Sequence, residues 1–170
     1  MKIGIISDTH DHMNNIKKFV DKFIDEEKID LLIHCGDIVA PFMNIPFKRI
    51  IEETDIFYAV YGNNDGERNG LKTNFGAKGG KIEMKGDFFE TEISGKKIIV
   101  FHHLDETIVE ALALSGKYDL ILKGHTHQKR QEKIGNCLIL NPGEACGYLT
   151  GEASAATIDL DTMNVKFLKL

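Results

Sequence analysis

The order of apolar runs and chain breaks predicts an α/β domain, parallel in its first half and rich in hairpins in its second. Three observations carry that prediction. Short apolar runs alternate with helix-period segments up to about residue 60. Further on, two-residue turns containing Gly separate strand-like segments. The composition, 42% hydrophobic and 28% charged with 16 Gly and 3 Pro, is that of an ordinary globular chain, which excludes disordered, collagen-like and coiled-coil classes.

Taken in order, Lys2 to Ser7 is an apolar run bounded by polar residues, a buried strand. Ile16, Phe19, Val20, Phe23 and Ile24 then recur at helical spacing, predicting an amphipathic helix from Asn14 to near Lys28. Leu31 to His34 reads as a second buried strand, broken at Gly36-Asp37. A second helix is expected from about Pro46, with Phe47, Ile50 and Ile51 inward. Ile56 to Val60 is the third strand, broken by Gly62-Asn63-Asn64-Asp65-Gly66. Strand, helix, strand, helix, strand argues for parallel pairing through crossover helices. Residues 66–80 are polar and Gly-rich without a clear period, which predicts a long surface loop. Phe88–Ile93 and Lys97–Phe101 flank Gly95-Lys96 as a hairpin. Asp105 stands as the cap of a helix from Glu106 to about Leu114, followed by a strand from Tyr118 to Lys123. Arg130–Ile134 and Cys137–Asn141 flank the two-residue turn Gly135-Asn136, and Ala155–Leu160 with Val165–Leu170 form a closing hairpin.

At 170 residues the chain is sized for one domain, residues 1–170, and buries about 70% of its unfolded surface without staples. Its 21 Lys+Arg against 26 Asp+Glu give a net charge of -5 with no basic block, so bulk-charge binding to nucleic acid or to an anionic membrane is not expected. No apolar run approaches the ~20 residues of a membrane span. Asp8 arrives too early for a signal peptide. Cys35, Cys137 and Cys146 are odd in number and widely spaced, which argues against a disulfide framework and for a reducing, cytoplasmic setting. Cys35, in an apolar strand, reads as a small buried hydrophobe rather than a nucleophile. Whether the chain forms a homo-oligomer stays open, because pattern alone does not separate an apolar patch from core.

The polar residues able to hold a cation all stand where an apolar strand ends. Asp8 and His10 follow the first strand, Asp37 the second, and Asn63, Asn64 and Asp65 the third. His102 and His103 close the strand at Phe101, and His125 and His127 follow the strand ending at Lys123. Sites in open α/β sheets form outside the carboxyl ends of strands, so these ends would gather the side chains into one cluster. Singly, each piece has an ordinary alternative. Asp8-Thr9-His10 is loop or helix-cap chemistry, and Gly36-Asp37 and Gly62 to Gly66 are turn chemistry. Gly124-His125-Thr126-His127 is stronger, since two His at i and i+2 reach one site and Gly admits close backbone approach.

The ordered set Asp-x-His, Gly-Asp, Gly-Asn-x-Asp, a lone His and Gly-His-x-His resembles the calcineurin-like metallophosphoesterase superfamily. Within it the chain is similar to the small single-domain phosphodiesterases of archaea and bacteria, a group related to the non-catalytic scaffold subunit of the retromer coat. Asn141-Pro142-Gly143 also matches a family loop, with Glu144 where Ser is common. The resemblance implies a four-layer sandwich, two mixed sheets flanked by helices. It implies two divalent ions, the first held by Asp8, His10, Asp37 and His127 and the second by Asp37, Asn63, His102 and His125, with Asp37 bridging. Two cations ~3.5–4 Å apart repel, and a shared carboxylate screens them. Mixed O and N donors suit Mn²⁺ as the first expectation, with Ni²⁺, Co²⁺, Fe²⁺ and Zn²⁺ as alternatives, over Mg²⁺ or Ca²⁺.

The implied reaction is in-line attack of a metal-bridging hydroxide on the phosphorus of a small-molecule or nucleotide phosphodiester. A non-catalytic metal-binding scaffold and a phosphomonoesterase are the alternatives. Many relatives have His directly after the ligand Asn, where it binds phosphate and protonates the leaving group. Asn64 stands there instead and has no proton to supply, so Asn64 is expected to bind substrate while Asp65 holds the loop. His12 as a substitute acid and Arg68 as a phosphate-binding cation are further candidates, each with a plain solvated side chain as its alternative. His103 stands where Gly is usual, which leaves His103 in place of His102 as a ligand open; the register of the helix that follows favours His102.

Overall fold

A computed structural model of the chain describes residues 1–54, 56–76 and 82–170. Strand β1 (Lys2–Ile6) lies between parallel β2 (Leu31–His34) and antiparallel β10 (Ser154–Asp159). With β3 (Ile56–Ala59), β4 (Ile82–Met84) and β11 (Asn164–Lys169) they form a six-stranded sheet of order β11-β10-β1-β2-β3-β4. The second sheet has the order β5-β6-β7-β9-β8, from β5 (Phe88–Ile93), β6 (Lys96–Phe101), β7 (Leu120–Leu122), β8 (Lys129–Ile134) and β9 (Cys137–Pro142). In it β6, β7 and β9 run parallel, with β5 and β8 antiparallel at the edges. Both sheets are mixed.

Strand alternation sorts the apolar side chains into layers. Ile3, Ile5, Leu31, Ile33 and Ile158 face Ile98, Val100, Leu120, Leu122 and Leu140 across the inter-sheet core. The opposite face of the first sheet, with Ile6, Leu32, Phe57 and Ala59, is covered by α1 (Met13–Asp21), α2 (Lys48–Glu53) and α3 (Arg68–Gly76). On the far side Ile99, Phe101, Ile121 and Ile139 pack on Val109 and Ala113 of α4 (Glu106–Leu114). The result is helix, sheet, sheet, helix, the four-layer arrangement expected. Each fully buried Phe or Ile contributes about 1.5–3 kcal/mol against exposure. Among the described residues no helix is long and apolar enough to cross a membrane.

Four details depart from the sequence prediction. The first helix changes from α to π over Lys22–Glu27 before Lys28 ends it in the left-handed region. The segment before α2 is a 3₁₀ turn over Pro41–Asn44, so the α-helix begins two residues beyond Pro46. β4, only three residues long, was not anticipated. Finally, residues 68–76 are helix α3 rather than loop, although the predicted loop's residues 77–80 lie outside the described residues. The helix buries Leu71 and Phe75. Its Gly70 lies where a Cβ would meet Pro41 Cγ at 2.6 Å, so glycine here permits close packing on the 3₁₀ turn.

Candidate metal centre

β1, β2, β3, β6, β7 and β9 all deliver their carboxyl ends to one side of the molecule. Backbone bonds between the ends lock the loops that follow. Asp8 N donates to Gly36 O at 3.0 Å, Thr9 N to Asp37 O at 3.0 Å, and Gly124 N to His102 O at 3.1 Å. Contacts also cross from one sheet to the other, among them His125 N donating to Asp8 Oδ2 at 3.1 Å and His102 Nδ1 meeting Cys35 O at 2.8 Å.

Glycines admit this convergence. A Cβ at Gly62 would sit 2.1 Å from Asp37 Oδ1, and one at Gly124 2.0 Å from Ser7 Oγ. More telling is where glycine is absent. Asp8 (φ 52°), His10 (38°), Asp37 (60°), His125 (73°) and His127 (61°) all have left-handed backbones. Non-glycine residues there store strain, which surrounding structure must hold and which clusters at functional sites.

The seven expected ligands are brought together. His10 Nε2 lies 3.9 Å from Asp8 Oδ1 and 3.5 Å from Asp37 Oδ2; His127 Nε2 is 3.3 Å from Asp8 Oδ1. On the other side of Asp37, His102 Nε2 is 3.4 Å from Asp37 Oδ2 and 3.0 Å from Asn63 Oδ1, and His125 Nδ1 is 2.9 Å from the same Asn63 oxygen. Asp37 therefore faces both groups. These donor atoms stand 2.9–3.9 Å apart, near enough for a cation to be shared among them.

The hydrogen-bond chemistry of the cluster calls for positive charge. His102 Nδ1–H is directed to the Cys35 carbonyl, and His127 Nδ1 lies 2.7 Å from Glu144 Oε2, an acceptor-only carboxylate. With the imidazoles neutral, each Nε2 would turn its lone pair towards carboxylate or amide oxygens. Either a proton on Nε2 or a cation between the groups makes such contacts favourable. Two further atoms point the same way: Asp8 Oδ1 and His10 Nε2 are buried with no hydrogen-bond partner. A buried polar atom left unpaired costs about 1–3 kcal/mol, which a metal in that position removes. The donors present fit the divalent ions that the sequence predicts.

Electrostatics agree. Burial pushes the Asp8 carboxyl up. Burial acts the same way on Asp37, but hydrogen bonds from His102 and Asn64 outweigh it and hold that carboxyl well below the usual range. His125 is lowered by burial and by the neighbouring imidazoles of His103 and His102. For His102 burial lowers the value, and the Asp37 hydrogen bond and Asp8 more than reverse it. Behind the cluster His34 is fully buried and held neutral, its pKa lowered to about 3 by burial and then by His102. Its Nδ1 accepts from Gly36 N at 3.1 Å and its Nε2 meets Thr9 Oγ1 at 3.0 Å, bracing the loop between Asp8 and His10.

The remaining candidates are placed as follows. Asn64 sits at the rim, donating from its backbone N to Asp37 Oδ1 at 2.8 Å and from Nδ2 to Asp37 Oδ2 at 2.7 Å. Asp65 is buried, and it accepts from the backbone N of Gly62, Asp37, Ile38 and Val39 at 2.7–3.0 Å, tying the Asn63–Asn64 turn to the Asp37 turn. His12 caps α1, its Nδ1 accepting from Asn15 N at 3.3 Å, with its ring 5.4 Å from the exposed Tyr148. Arg68 touches the site only through its Nε, which donates to Asp65 O at 3.4 Å; its guanidinium pairs with Asp87 at 2.8 Å and lies over the Tyr61 ring at 4.7 Å. His103 is exposed and packs on His125 with ring centroids 4.0 Å apart, while His102 is the residue at the cluster. Cys35 and Cys137 are buried and apart from the chemistry, their thiols raised by burial. Cys146 is different. Its Sγ falls within 4.8 Å of ligand atoms of His10 and His127, and burial pushes its thiol up to about 12. Sequence reasoning attached no role to Cys146 or to Glu144, and no spacing pattern singles them out; both come from the loop after β9.

Comparison with known proteins places these features in context. The family model of the calcineurin-like phosphoesterase superfamily domain matches residues 1–163. A Methanocaldococcus jannaschii protein named as a phosphodiesterase is 40% identical over 161 residues, covering 95% of this chain and 94% of that one. A solved structure described as a novel archaeal phosphodiesterase superposes with a TM-score of 0.92 at 38% identity, over 100% of both chains. Vps29 from Chaetomium thermophilum shares the fold, with a TM-score of 0.71 at 16% identity over 100% of this chain and 95% of that one.

Proposed function

The chain belongs to the calcineurin-like phosphoesterase superfamily, and on that premise we propose that it is a divalent-metal-dependent phosphodiesterase. The observation that carries the proposal is Asp37 lying within 3.5 Å of an imidazole on each side. We assign the first ion to Asp8, His10, Asp37 and His127 and the second to Asp37, Asn63, His102 and His125. Bound there, the ions would neutralise phosphoryl oxygen charge and acidify water for attack on phosphorus.

The protein's own groups do the rest. Asp37 and Asp8 are the two carboxylates among the proposed ligands, so two divalent ions would leave the centre electropositive even with both ionised, matched to a phosphodiester anion. Asn64, on the rim, offers its amide to a phosphoryl oxygen, and Asp65 holds the turn that presents it. His12 caps α1 through Nδ1 and stands beside Tyr148 at 5.4 Å, so we assign it no proton transfer. Arg68 contributes only if it exchanges Asp87 for the substrate phosphate. Mixed imidazole and carboxylate donors support Mn²⁺ as the first metal to try. The three buried free thiols support a reducing, cytoplasmic setting.

The test is hydrolysis of bis(p-nitrophenyl) phosphate by metal-stripped protein before and after Mn²⁺ is added, with the monoester alongside. Mn²⁺-dependent cleavage favouring the diester is expected. Faster cleavage of the monoester would make the enzyme a phosphomonoesterase. No turnover with any of Mn²⁺, Ni²⁺, Co²⁺, Fe²⁺ or Zn²⁺ would contradict the proposal and return the scaffold alternative.

A further inference from the structure

Glu144 is fully buried, and among the described residues no lysine or arginine is one of its hydrogen-bond partners. Its compensation is a ring of donors. Leu149 N donates to Oε1 at 2.9 Å, Thr150 Oγ1 to Oε1 at 2.7 Å, Thr150 N to the same oxygen, and Cys146 Sγ to Oε2 at 3.2 Å. Leu149 N also reaches Oε2, at 3.1 Å, and His127 Nδ1 meets the same oxygen at 2.7 Å. A carboxylate so placed has no proton to give, so the proton on that bond resides on His127 Nδ1.

We infer that Glu144 is a positioning residue for the first metal subsite, fixing His127 as the Nδ1–H tautomer so that its Nε2 lone pair faces Asp8. The inference rests on the reading of Asp8, His10, Asp37 and His127 as ligands, and it adds a residue to which no chemistry had been attached. The need for such a partner follows from local structure. His127 has a left-handed backbone at φ 61°, and its ring stacks on His10 with centroids 5.2 Å apart, which sets the plane of the ring without choosing the tautomer. Without an acceptor at Nδ1 the proton is free to sit on Nε2, the atom 3.3 Å from Asp8 Oδ1, and there it would exclude a cation. A carboxylate on the far nitrogen also makes the imidazole a better donor, and loss of such partners typically costs about 10- to 100-fold in metal affinity.

The glutamine variant gives a sharp test because its amide cannot serve both sides. The two Thr150 donors, both on Oε1, demand the amide oxygen there, leaving the NH₂ to face His127 Nδ1. Glu144→Gln should therefore drive the proton to Nε2. In ¹⁵N NMR of metal-stripped protein at pH 8, wild-type His127 should show a protonated Nδ1 and an unprotonated Nε2, and Glu144→Gln should reverse the pattern. Calorimetric Mn²⁺ titration should then show affinity at the first subsite reduced about 10- to 100-fold. Thr150→Val, which loosens the loop but leaves the His127 contact, should stay within about threefold of wild type. Wild-type His127 protonated on Nε2 would overturn the inference, and that result needs no variant to fold. So would a Glu144→Gln protein that binds Mn²⁺ as tightly as wild type. Wild type that binds no Mn²⁺ would instead overturn the ligand reading, with the tautomer measurement still deciding the role of Glu144.

Discussion

At position 64 an asparagine amide donates to Asp37 Oδ2 at 2.7 Å, at the rim where a leaving group would depart. An amide binds an oxyanion but lends no proton, so poor leaving groups should depart slowly. Asn64→His should therefore raise turnover most for diesters of high-pKa alcohols, up to on the order of 10²-fold, and little for p-nitrophenolate. Rates across a series of aryl and alkyl diesters check this; an unchanged leaving-group dependence would show that residue 64 is not where the acid belongs. The seven proposed ligands could be picked out because each is a polar residue ending an apolar run, in a set whose order is specific. Glu144 was legible only as a departure from a family loop, since its partners come from residues 127, 146, 149 and 150 and no local spacing brings them together. The left-handed backbones at Asp8, His10, Asp37, His125 and His127 were not legible at all, because none is a glycine.

Where β7 ends, Lys123 is buried with 1% of its side chain exposed, and its ammonium meets Glu106 in the first turn of α4. Arg130 of β8 takes the other oxygen of Glu106 at 2.6 Å. This pairing ties α4 to the strand that carries Gly124 and His125 into the centre. Glu106→Gln should destabilise the fold by about 1–2 kcal/mol at pH 7, less than the loss for a fully buried pair because Glu106 is itself half exposed. Its carboxyl is lowered from the ordinary 4.5, first by Lys123 and then by Arg130. A depressed carboxyl stabilises above its unfolded value and loses that contribution as pH falls through the folded one. Denaturant unfolding should accordingly show the two proteins converging below pH 4.5. Elements with strong periodicity were read correctly from sequence, whereas α3 was missed because Asn69, Gly70, Asn74 and Gly76 dilute a stripe of only Leu71 and Phe75. β4 has three residues, too few to show alternation. The π segment at Lys22–Glu27 has the same apolar spacing as an α-helix and leaves no mark in the sequence.

Across the whole molecule, the two sheets bring six carboxyl-terminal strand ends to one place, and the strain at five left-handed positions of the proposed centre is carried by a core that spans both sheets. The four-layer stacking was legible through family resemblance; the alternation of strands and helices predicted only the α/β class. The central claim is that this convergence builds a two-ion centre bridged by Asp37. Calorimetric titration of metal-stripped protein with Mn²⁺, with diester hydrolysis followed at each addition, tests it most directly, and Asp37→Asn is its control. We predict two ions per chain, activity that rises with occupancy, and neither tight binding nor turnover in Asp37→Asn, whose circular dichroism should remain native. Full diesterase activity in metal-stripped wild type, or near-normal activity in Asp37→Asn, would contradict the account.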